Sequence, residues 1–187
     1  IKDDSSIEEV ILSGGDPLTL SDRRLQEICA SIANIKHIKR IRFHSRLPIV
    51  LPARVTTTLL KQITDNDKSI IFVIHSNHAN ELDNSVSTII KRLQEFDILV
   101  LNQSVLLKNI NDSVTALINL SERLIENNVI PYYLHLLDPV AGAAHYDVSL
   151  DDAQSLMEEM QARVSGYLVP KLVKEEVGAS SKTLIMN

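Results

Sequence analysis

The sequence predicts an α/β fold, an incomplete (β/α) barrel. Five short apolar segments alternate with helices that carry a single apolar stripe, and polar side chains follow every segment. The apolar segments end 31, 31, 27 and 33 residues apart, close to the length of one βα unit, at Leu12, Phe43, Ile74, Leu101 and Leu134. A doubly wound sheet fits the alternation equally well, but it usually concentrates its polar chemistry at one switch point. We therefore favour a barrel whose strand ends share one site.

The composition is that of an ordinary globular chain and excludes several classes of function. The 187 residues are 44% hydrophobic and 23% charged, with a net charge of −5. That charge argues against nucleic acid as a direct partner. No apolar run reaches the roughly 18 residues that cross a bilayer, and no signal peptide is visible. The only cysteine, Cys29, excludes an internal disulfide and is typical of a cytoplasmic protein.

The first predicted strand, Val10 to Leu12, leads into a polar turn that contains two glycines. Its three apolar residues predict an interior parallel strand. Gly14 and Gly15 let the backbone turn sharply and let a ligand approach bare amides, while Asp16 stands at the carboxyl end of the strand. From these residues alone, a plain βα turn explains the pattern equally well.

The remaining elements follow in order along the chain. The other four strands are predicted at Ile38 to Phe43, Ile70 to Ile74, Ile98 to Leu101 and Ile130 to Leu134. Helices are predicted behind caps at Ser21, Asp112 and Ser149, and around Leu59 to Ile63 and Val86 to Leu93. Asp152 stands three residues after Ser149, as in a capping box.

Several residues with reactive side chains have a structural explanation. Cys29 lies on the apolar stripe of its helix, which predicts a core residue rather than a nucleophile. His75 and His78 stand three residues apart beyond a strand, but no third metal ligand has a recognisable position. Lys182, near the C-terminus, is by default a solvated lysine.

Five segments share their pattern with a known family: ILSGGDPL at 11–18, SRLPIVLPAR at 45–54, NHANE at 77–81, NQSVLL at 102–107 and PYYLH at 131–135. In this order they resemble the lysine 2,3-aminomutase family of radical S-adenosylmethionine (SAM) enzymes. Three more segments are most similar to the branch that makes (R)-β-lysine for the modification of elongation factor P: LHLLD at 134–138, GAAH at 142–145 and VSGYLVPKL at 164–172.

The resemblance implies a partial barrel of the radical SAM type that carries a [4Fe-4S] cluster, SAM and pyridoxal phosphate (PLP). It assigns the methionine part of SAM to Ser13, Gly14, Gly15 and Asp16, and places His78 and Gln103 near SAM and PLP. Lys182 matches the lysine that binds PLP covalently and is the one catalytic residue assigned. Asp138 and Glu175 match the two carboxylates that bind the ε-ammonium group of the substrate.

The implied activity is that of an isomerase, an intramolecular aminotransferase. It moves the α-amino group of L-lysine to Cβ by means of a SAM-derived radical and PLP. The implied partners are L-lysine, an electron donor for the cluster and, through the product, elongation factor P and its ligase. Neither nucleic acid nor a membrane is expected.

The chain departs from the family pattern because the three cluster cysteines, spaced C-x3-C-x2-C, are absent. We expect them upstream of Ile1, in a longer protein, so no metal ligand is assigned here and the chain alone is expected to be inactive. Residues 1–170 are predicted to form the barrel, truncated at its N-terminus, and residues 171–187 the C-terminal segment with the PLP lysine.

Other functions remain open from the sequence. A Schiff-base lyase on a β/α barrel would use Lys182 without a radical. A barrel remnant would bind PLP or SAM without chemistry. A 2,3-aminomutase of different amino-acid specificity would keep the cofactors but change the substrate pocket.

Overall fold

A computed structural model describes residues 1–139, 141–175, 178 and 182–185. The chain divides into two compact units. Unit 1 consists of Ile1–His75 and Asp83–Leu101, and unit 2 of Ser76–Leu82 and Asn102–Asn187. None of the described helices combines the length and the apolar character needed to cross a lipid bilayer.

Unit 1 is built on three parallel strands, β1 (Glu9–Leu12), β2 (Arg40–Ser45) and β3 (Ser69–His75). Leu12 pairs with Phe43, and Phe43 pairs with Phe72. The rings of Phe43 and Phe72 stack with their centroids 5.0 Å apart, and both are fully buried. The helices of this unit are α1 (Asp22–Ala33), α2 (Leu47–Val50), α3 (Thr57–Ile63) and α4 (Asn84–Gln94).

Side-chain caps determine where the helices of unit 1 begin. The Ser21 hydroxyl accepts a hydrogen bond from the Arg24 N–H, which confirms the predicted cap of α1. Thr56 caps α3 in the same way, and the helix begins at Thr57. Cys29 lies in the core, 1% exposed, as its place on the apolar stripe of α1 predicts.

Unit 2 contains the end of β4 (Leu99–Val105), whose first three residues belong to unit 1. Its other strands are β5 (Ile130–His135), β6 (Lys171–Lys174) and β7 (Thr183–Leu184). β6 pairs with β5 in parallel and with β7 in antiparallel orientation. Its helices are α5 (Val114–Glu126) and α6 (Leu150–Arg163), which pack over a core of Leu106, Val114, Leu117, Leu134, Leu136, Ala153, Met157, Met160 and Leu172.

The structure corrects several predicted boundaries. β6 and β7 were not among the five predicted strands, because each is too short to show an alternating pattern. β2, β4 and β5 run on through the polar residues that were expected to follow them, since these residues continue the strand backbone with alternating side chains. The cap of α5 is Ser113 rather than Asp112, and the Ser149 cap of α6 is confirmed.

The first strand pairs in parallel as predicted, but it is not buried as an interior strand would be. Ile11 in β1 is 46% exposed, and within the described residues β1 pairs only with β2. One edge of β1 and one of its faces therefore lack the cover that an interior parallel strand has. The division at residue 170 stays a prediction, and the segment 171–187 lies partly outside the described residues.

Candidate functional site

The turn after β1 has the backbone geometry that its two glycines allow. Gly14 has φ +78° and Gly15 has φ +56°, in the left-handed region that other residues rarely adopt. A Cβ atom built on either residue would meet nothing within 4 Å. The glycines are therefore required by backbone conformation, and the space beside them is open to a ligand.

Asp16 is held by four donors of the chain itself. Its Oδ1 accepts hydrogen bonds from the Leu18 N–H at 3.0 Å and the Ser45 hydroxyl at 2.7 Å. Its Oδ2 accepts from the Arg46 N–H at 2.8 Å and the Leu47 N–H at 3.2 Å. The carboxylate thus caps the 3₁₀ helix that follows it, Pro17–Thr19, and joins that turn to the end of β2.

The turn that carries His78 is fixed by a capping box in unit 2. Glu81 Oε1 accepts from the Asn77 N–H at 2.7 Å and the His78 N–H at 3.0 Å. His78 Nδ1 in turn accepts from the Asn80 N–H at 3.2 Å. Because Nδ1 is the acceptor, the neutral imidazole carries its proton on Nε2, which remains a donor.

Asn102 anchors this turn to β4 through buried hydrogen bonds. Its Oδ1 accepts from the Ser76 N–H at 2.9 Å, and its Nδ2 donates to the Ser76 carbonyl at 3.0 Å and to the Ser104 hydroxyl at 2.9 Å. Asn102, Ser76 and Ser104 are all at most 4% exposed. Gln103 lies between two of them in the strand, so its half-buried side chain points to the opposite face of β4.

Asn111 adds a second set of buried hydrogen bonds. Its Nδ2 donates to the carbonyls of Asn77 and Val105, both at 2.9 Å, and its Oδ1 accepts from the Leu107 N–H at 2.7 Å. The Asn77 side chain accepts from the Val105 N–H at 2.9 Å. We refer to Asn77, Asn102 and Asn111 as the amide network. It joins the His78 turn and the strand of Gln103 within one unit.

Lys182 and Glu175 form an ion pair. In the antiparallel pairing of β6 and β7, Lys174 lies opposite Thr183. The next position of this register places Glu175 opposite Lys182, which explains their contact. The hydrogen bond and the charge of Lys182 lower the pKa of Glu175, and the charge of His135 lowers it further.

Aromatic side chains of β5 lie next to this pair. The Lys182 ammonium is 6.0 Å from the centroid of the Tyr133 ring, within the range of a cation–π contact. The Tyr133 ring meets the His135 ring edge-on at 5.7 Å, and its hydroxyl accepts from the Tyr132 hydroxyl at 2.9 Å. Lys182 therefore lies close to both a carboxylate and an aromatic ring.

Asp138 lies on the loop after β5 and is exposed. It lines a cavity of about 550 Å³ with Lys174, Asp147 and a mainly apolar wall. The structure pairs Glu175 with Lys182 and does not join it to Asp138 in the described residues. The cavity has the mixed polar and apolar lining that an amino-acid side chain requires.

The residues of the chain do not fit an iron–sulfur cluster. Such a cluster needs several cysteine thiolates, whereas Cys29 is single and buried. Its burial raises the pKa of the thiol to about 11, which disfavours the thiolate that binds metal. Within the described ranges, no group of three or more His, Cys, Asp or Glu residues could hold a metal ion.

Sequence reasoning missed part of what holds these residues. The roles of Ser45 and Asn111 depend on contacts with residues distant in sequence or within irregular loops, which no local pattern reveals. Glu81, in contrast, stands three residues after His78, and that capping-box spacing was visible in the sequence.

Three curated proteins named L-lysine 2,3-aminomutase are similar to the chain, although no family profile matches it. The protein of Escherichia coli (strain K12) is 48% identical over 177 residues, which are 95% of this chain and 52% of that protein. Those of Buchnera aphidicola subsp. Baizongia pistaciae and Haemophilus influenzae are 45% and 43% identical over 99% and 96% of this chain, and 54% and 53% of their own lengths. Over nearly all of its length, the chain is similar to members of the lysine 2,3-aminomutase family. It spans about half the length of the curated family members that it matches.

Solved structures show the same fold at low sequence identity. A radical SAM methyltransferase from Sphaerobacter thermophilus has a TM-score of 0.61 and 14% identity, over 90% of this chain and 51% of that one. A domain of pyruvate-formate lyase-activating enzyme from Bacteroides vulgatus ATCC 8482 has a TM-score of 0.56 and 13% identity, over 89% of this chain and 98% of that one. The predicted fold class, an α/β partial barrel of the radical SAM type, is thereby confirmed.

Proposed function

We propose that the protein is an L-lysine 2,3-aminomutase, which moves the α-amino group of L-lysine to Cβ and gives (R)-β-lysine. The observation that carries this proposal is the opposition of Lys182 and Glu175 across β6 and β7, in a chain 48% identical to the E. coli aminomutase over 95% of its length. The proposal includes a cytoplasmic location, an electron donor, and use of the product by the ligase that modifies elongation factor P.

Lys182 is the residue that we assign to PLP. Its primary amine pairs with the Glu175 carboxylate and lies 6.0 Å from the centroid of the Tyr133 ring. A lysine amine attacks an aldehyde only in its neutral form, whereas the Glu175 carboxylate stabilises the charged ammonium form. Lys182 therefore reacts only after it separates from Glu175. When bound, SAM supplies a carbon-centred radical on cleavage, and PLP supplies a conjugated ring that stabilises an unpaired electron.

We call residues 13–16 the glycine turn. We assign this turn, and also His78 and Gln103, to SAM and the neighbouring part of PLP. The turn offers open space beside Gly14 and Gly15. His78 offers an N–H donor on Nε2 whose direction is fixed because Nδ1 caps the turn. Gln103 offers an amide held in a strand rather than on a loop, which keeps its position defined.

Asp138 and Glu175 are the residues that we assign to the ε-ammonium group of the substrate. Asp138 borders a cavity of about 550 Å³, and Glu175 follows Lys174, which lines the same cavity. Two carboxylates on one distal ammonium favour lysine over shorter or neutral amino acids, because a wrong side chain leaves them without their partner. Glu175 binds this ammonium only when it no longer pairs with Lys182.

The test uses the protein that carries this chain behind the segment predicted to hold the three cysteines. Reconstituted without oxygen with iron, sulfide, SAM and PLP, it is expected to convert L-lysine to (R)-β-lysine, measured by chiral chromatography. Borohydride reduction in the presence of PLP is expected to label Lys182, located by peptide mass spectrometry. Lys182→Arg should abolish the label, whereas Lys171→Arg, a matched change at an exposed position of β6, should keep it.

Each competing function has its own outcome in this experiment. Product formed without iron would support the Schiff-base lyase. Conversion of another amino acid in place of lysine would support a different specificity. Full cofactor loading with no product from any amino acid would support a remnant that binds but does not react.

A further inference from the structure

Asp16, the acidic residue of the glycine turn, has no acceptor capacity left for a ligand. A carboxylate has about four lone-pair sites, and Asp16 uses them on four donors of its own chain. Three of these donors come from Ser45, Arg46 and Leu47, at the end of β2 and the start of α2. A ligand ammonium that bound Asp16 would have to displace one of them.

The hydrogen bonds of Asp16 connect two segments that are distant in sequence. Ser45 and Arg46 lie 29 and 30 positions after Asp16. The Ser45 side chain is 4% exposed, and its hydroxyl also accepts from the Leu47 N–H at 3.1 Å. The contact is therefore partly buried within unit 1, with a buried serine as the donor.

We propose that Asp16 is a positioning residue, which fastens the glycine turn to the end of β2 and does not itself bind the ligand's ammonium group. The turn then meets the ligand with the backbone N–H and C=O groups around Gly14 and Gly15, whose conformation Asp16 maintains. This inference rests on the proposed function, since it takes SAM as the ligand of the turn. It changes the role of Asp16 from a charge partner to a support.

The test combines a protein variant with a change in the ligand. Dissociation constants are measured calorimetrically for the longer protein that carries the three predicted cluster cysteines. The ligands are SAM and a SAM analogue in which hydrogen replaces the α-amino group. Asp16→Asn places an NH2 group against the N–H donors of Arg46 and Leu47. We expect it to weaken both ligands by the same factor, about tenfold, because it disturbs the turn and not one ligand group.

Two further variants distinguish a positioning role of Asp16 from a direct contact between its charge and the ligand. Ser45→Ala removes one hydrogen bond of Asp16 and keeps its charge. We expect it also to weaken both ligands equally, by a smaller factor. Asp67→Asn, which removes a charge at an exposed position before β3, should change neither constant.

The outcomes distinguish this inference from the proposed function. If Asp16→Asn weakens SAM about tenfold more than the deaminated analogue, and Ser45→Ala has no effect, Asp16 contacts the ammonium and the inference is wrong. If the unmodified protein binds neither ligand, the assignment of SAM to the turn is wrong, and the positioning role for a SAM site falls with it. Hydrogen exchange of the Arg46 and Leu47 amides reports their hydrogen bonds to Asp16 in the absence of ligand. We expect this exchange to be faster in Asp16→Asn.

Discussion

The turn after β1 and the turn after β3 are held in place by different chemistry. Asp16 holds the first with one half-buried carboxylate that receives four hydrogen bonds. The second is held by the half-buried Glu81 carboxylate and, deeper, by the neutral amide network, of which Asn102 and Asn111 are each 1% exposed. Burying a charge costs several kcal/mol unless it is fully paired, whereas an amide both donates and accepts without a charge. In these two turns, carboxylates accept hydrogen bonds where they are half-buried, and neutral amides are used where the side chain is fully buried.

The largest effect is expected from a charge introduced into the amide network. Asn102→Asp removes the two donors that serve Ser76 and Ser104 and buries a carboxylate. We expect the free energy of unfolding, measured with urea, to fall by about 3–5 kcal/mol. Asn119→Asp, an exposed change on α5, is the matched control and should cost little.

The same variant has a pH dependence of defined sign. Burial raises the pKa of the new carboxyl group above its unfolded value of about 3.9. The loss of unfolding free energy in Asn102→Asp is therefore complete above the raised pKa and becomes smaller as the pH falls, because the neutral acid again donates a hydrogen bond. A deficit that stays constant from neutral to acidic pH would contradict the role given to the amide donors.

A smaller effect is expected from the reverse exchange in the first turn. Asp16→Asn keeps the shape but faces the N–H groups of Arg46 and Leu47 with a donor. We expect the free energy of unfolding to fall by about 1–3 kcal/mol, and by about 1 kcal/mol for Ser45→Ala. A cost above that of Asn102→Asp would show that the carboxylate is the more important of the two supports.

The pair of Glu175 and Lys182 is expected to contribute least among the polar contacts. Lys182 lowers the pKa of Glu175 from 4.5, so the ion pair adds stability above that value and loses it as the pH falls through the lowered pKa. Because the Glu175 side chain is 55% exposed, we expect less than about 1 kcal/mol. An NMR titration of the Glu175 carboxyl should show its pKa rising in Lys182→Met, and an unchanged pKa would exclude the pair in solution.

Labelling of Cys29 reports the opening of unit 1, because this thiol is buried in the folded chain. Burial raises its pKa to about 11, so at neutral pH the thiol is protonated as well as inaccessible. Iodoacetamide should label it only when unit 1 opens. Asp16→Asn is then expected to label faster than the unmodified chain, while fast labelling of the unmodified chain would contradict the burial of this helix face.

The sequence predicted the elements with a repeating pattern and missed those defined by distant contacts. The helices α1 and α4 follow from their apolar stripes, and the strands β2, β3 and β5 from short apolar segments at regular spacing. β6 is only four residues long, with lysines at both ends, so its apolar pair gave no signal. The motifs located the turn of Asp16, but the role of Asp16 depends on Ser45 and Arg46, which only the folded chain brings to it.

The segment Ser76–Leu82 has a consequence for how this protein can be divided. It belongs to unit 2, although the residues on both sides of it belong to unit 1. The chain therefore passes from one unit to the other three times, after His75, Leu82 and Leu101. Neither unit corresponds to a single uninterrupted piece of the gene, so no single truncation point yields one of them whole.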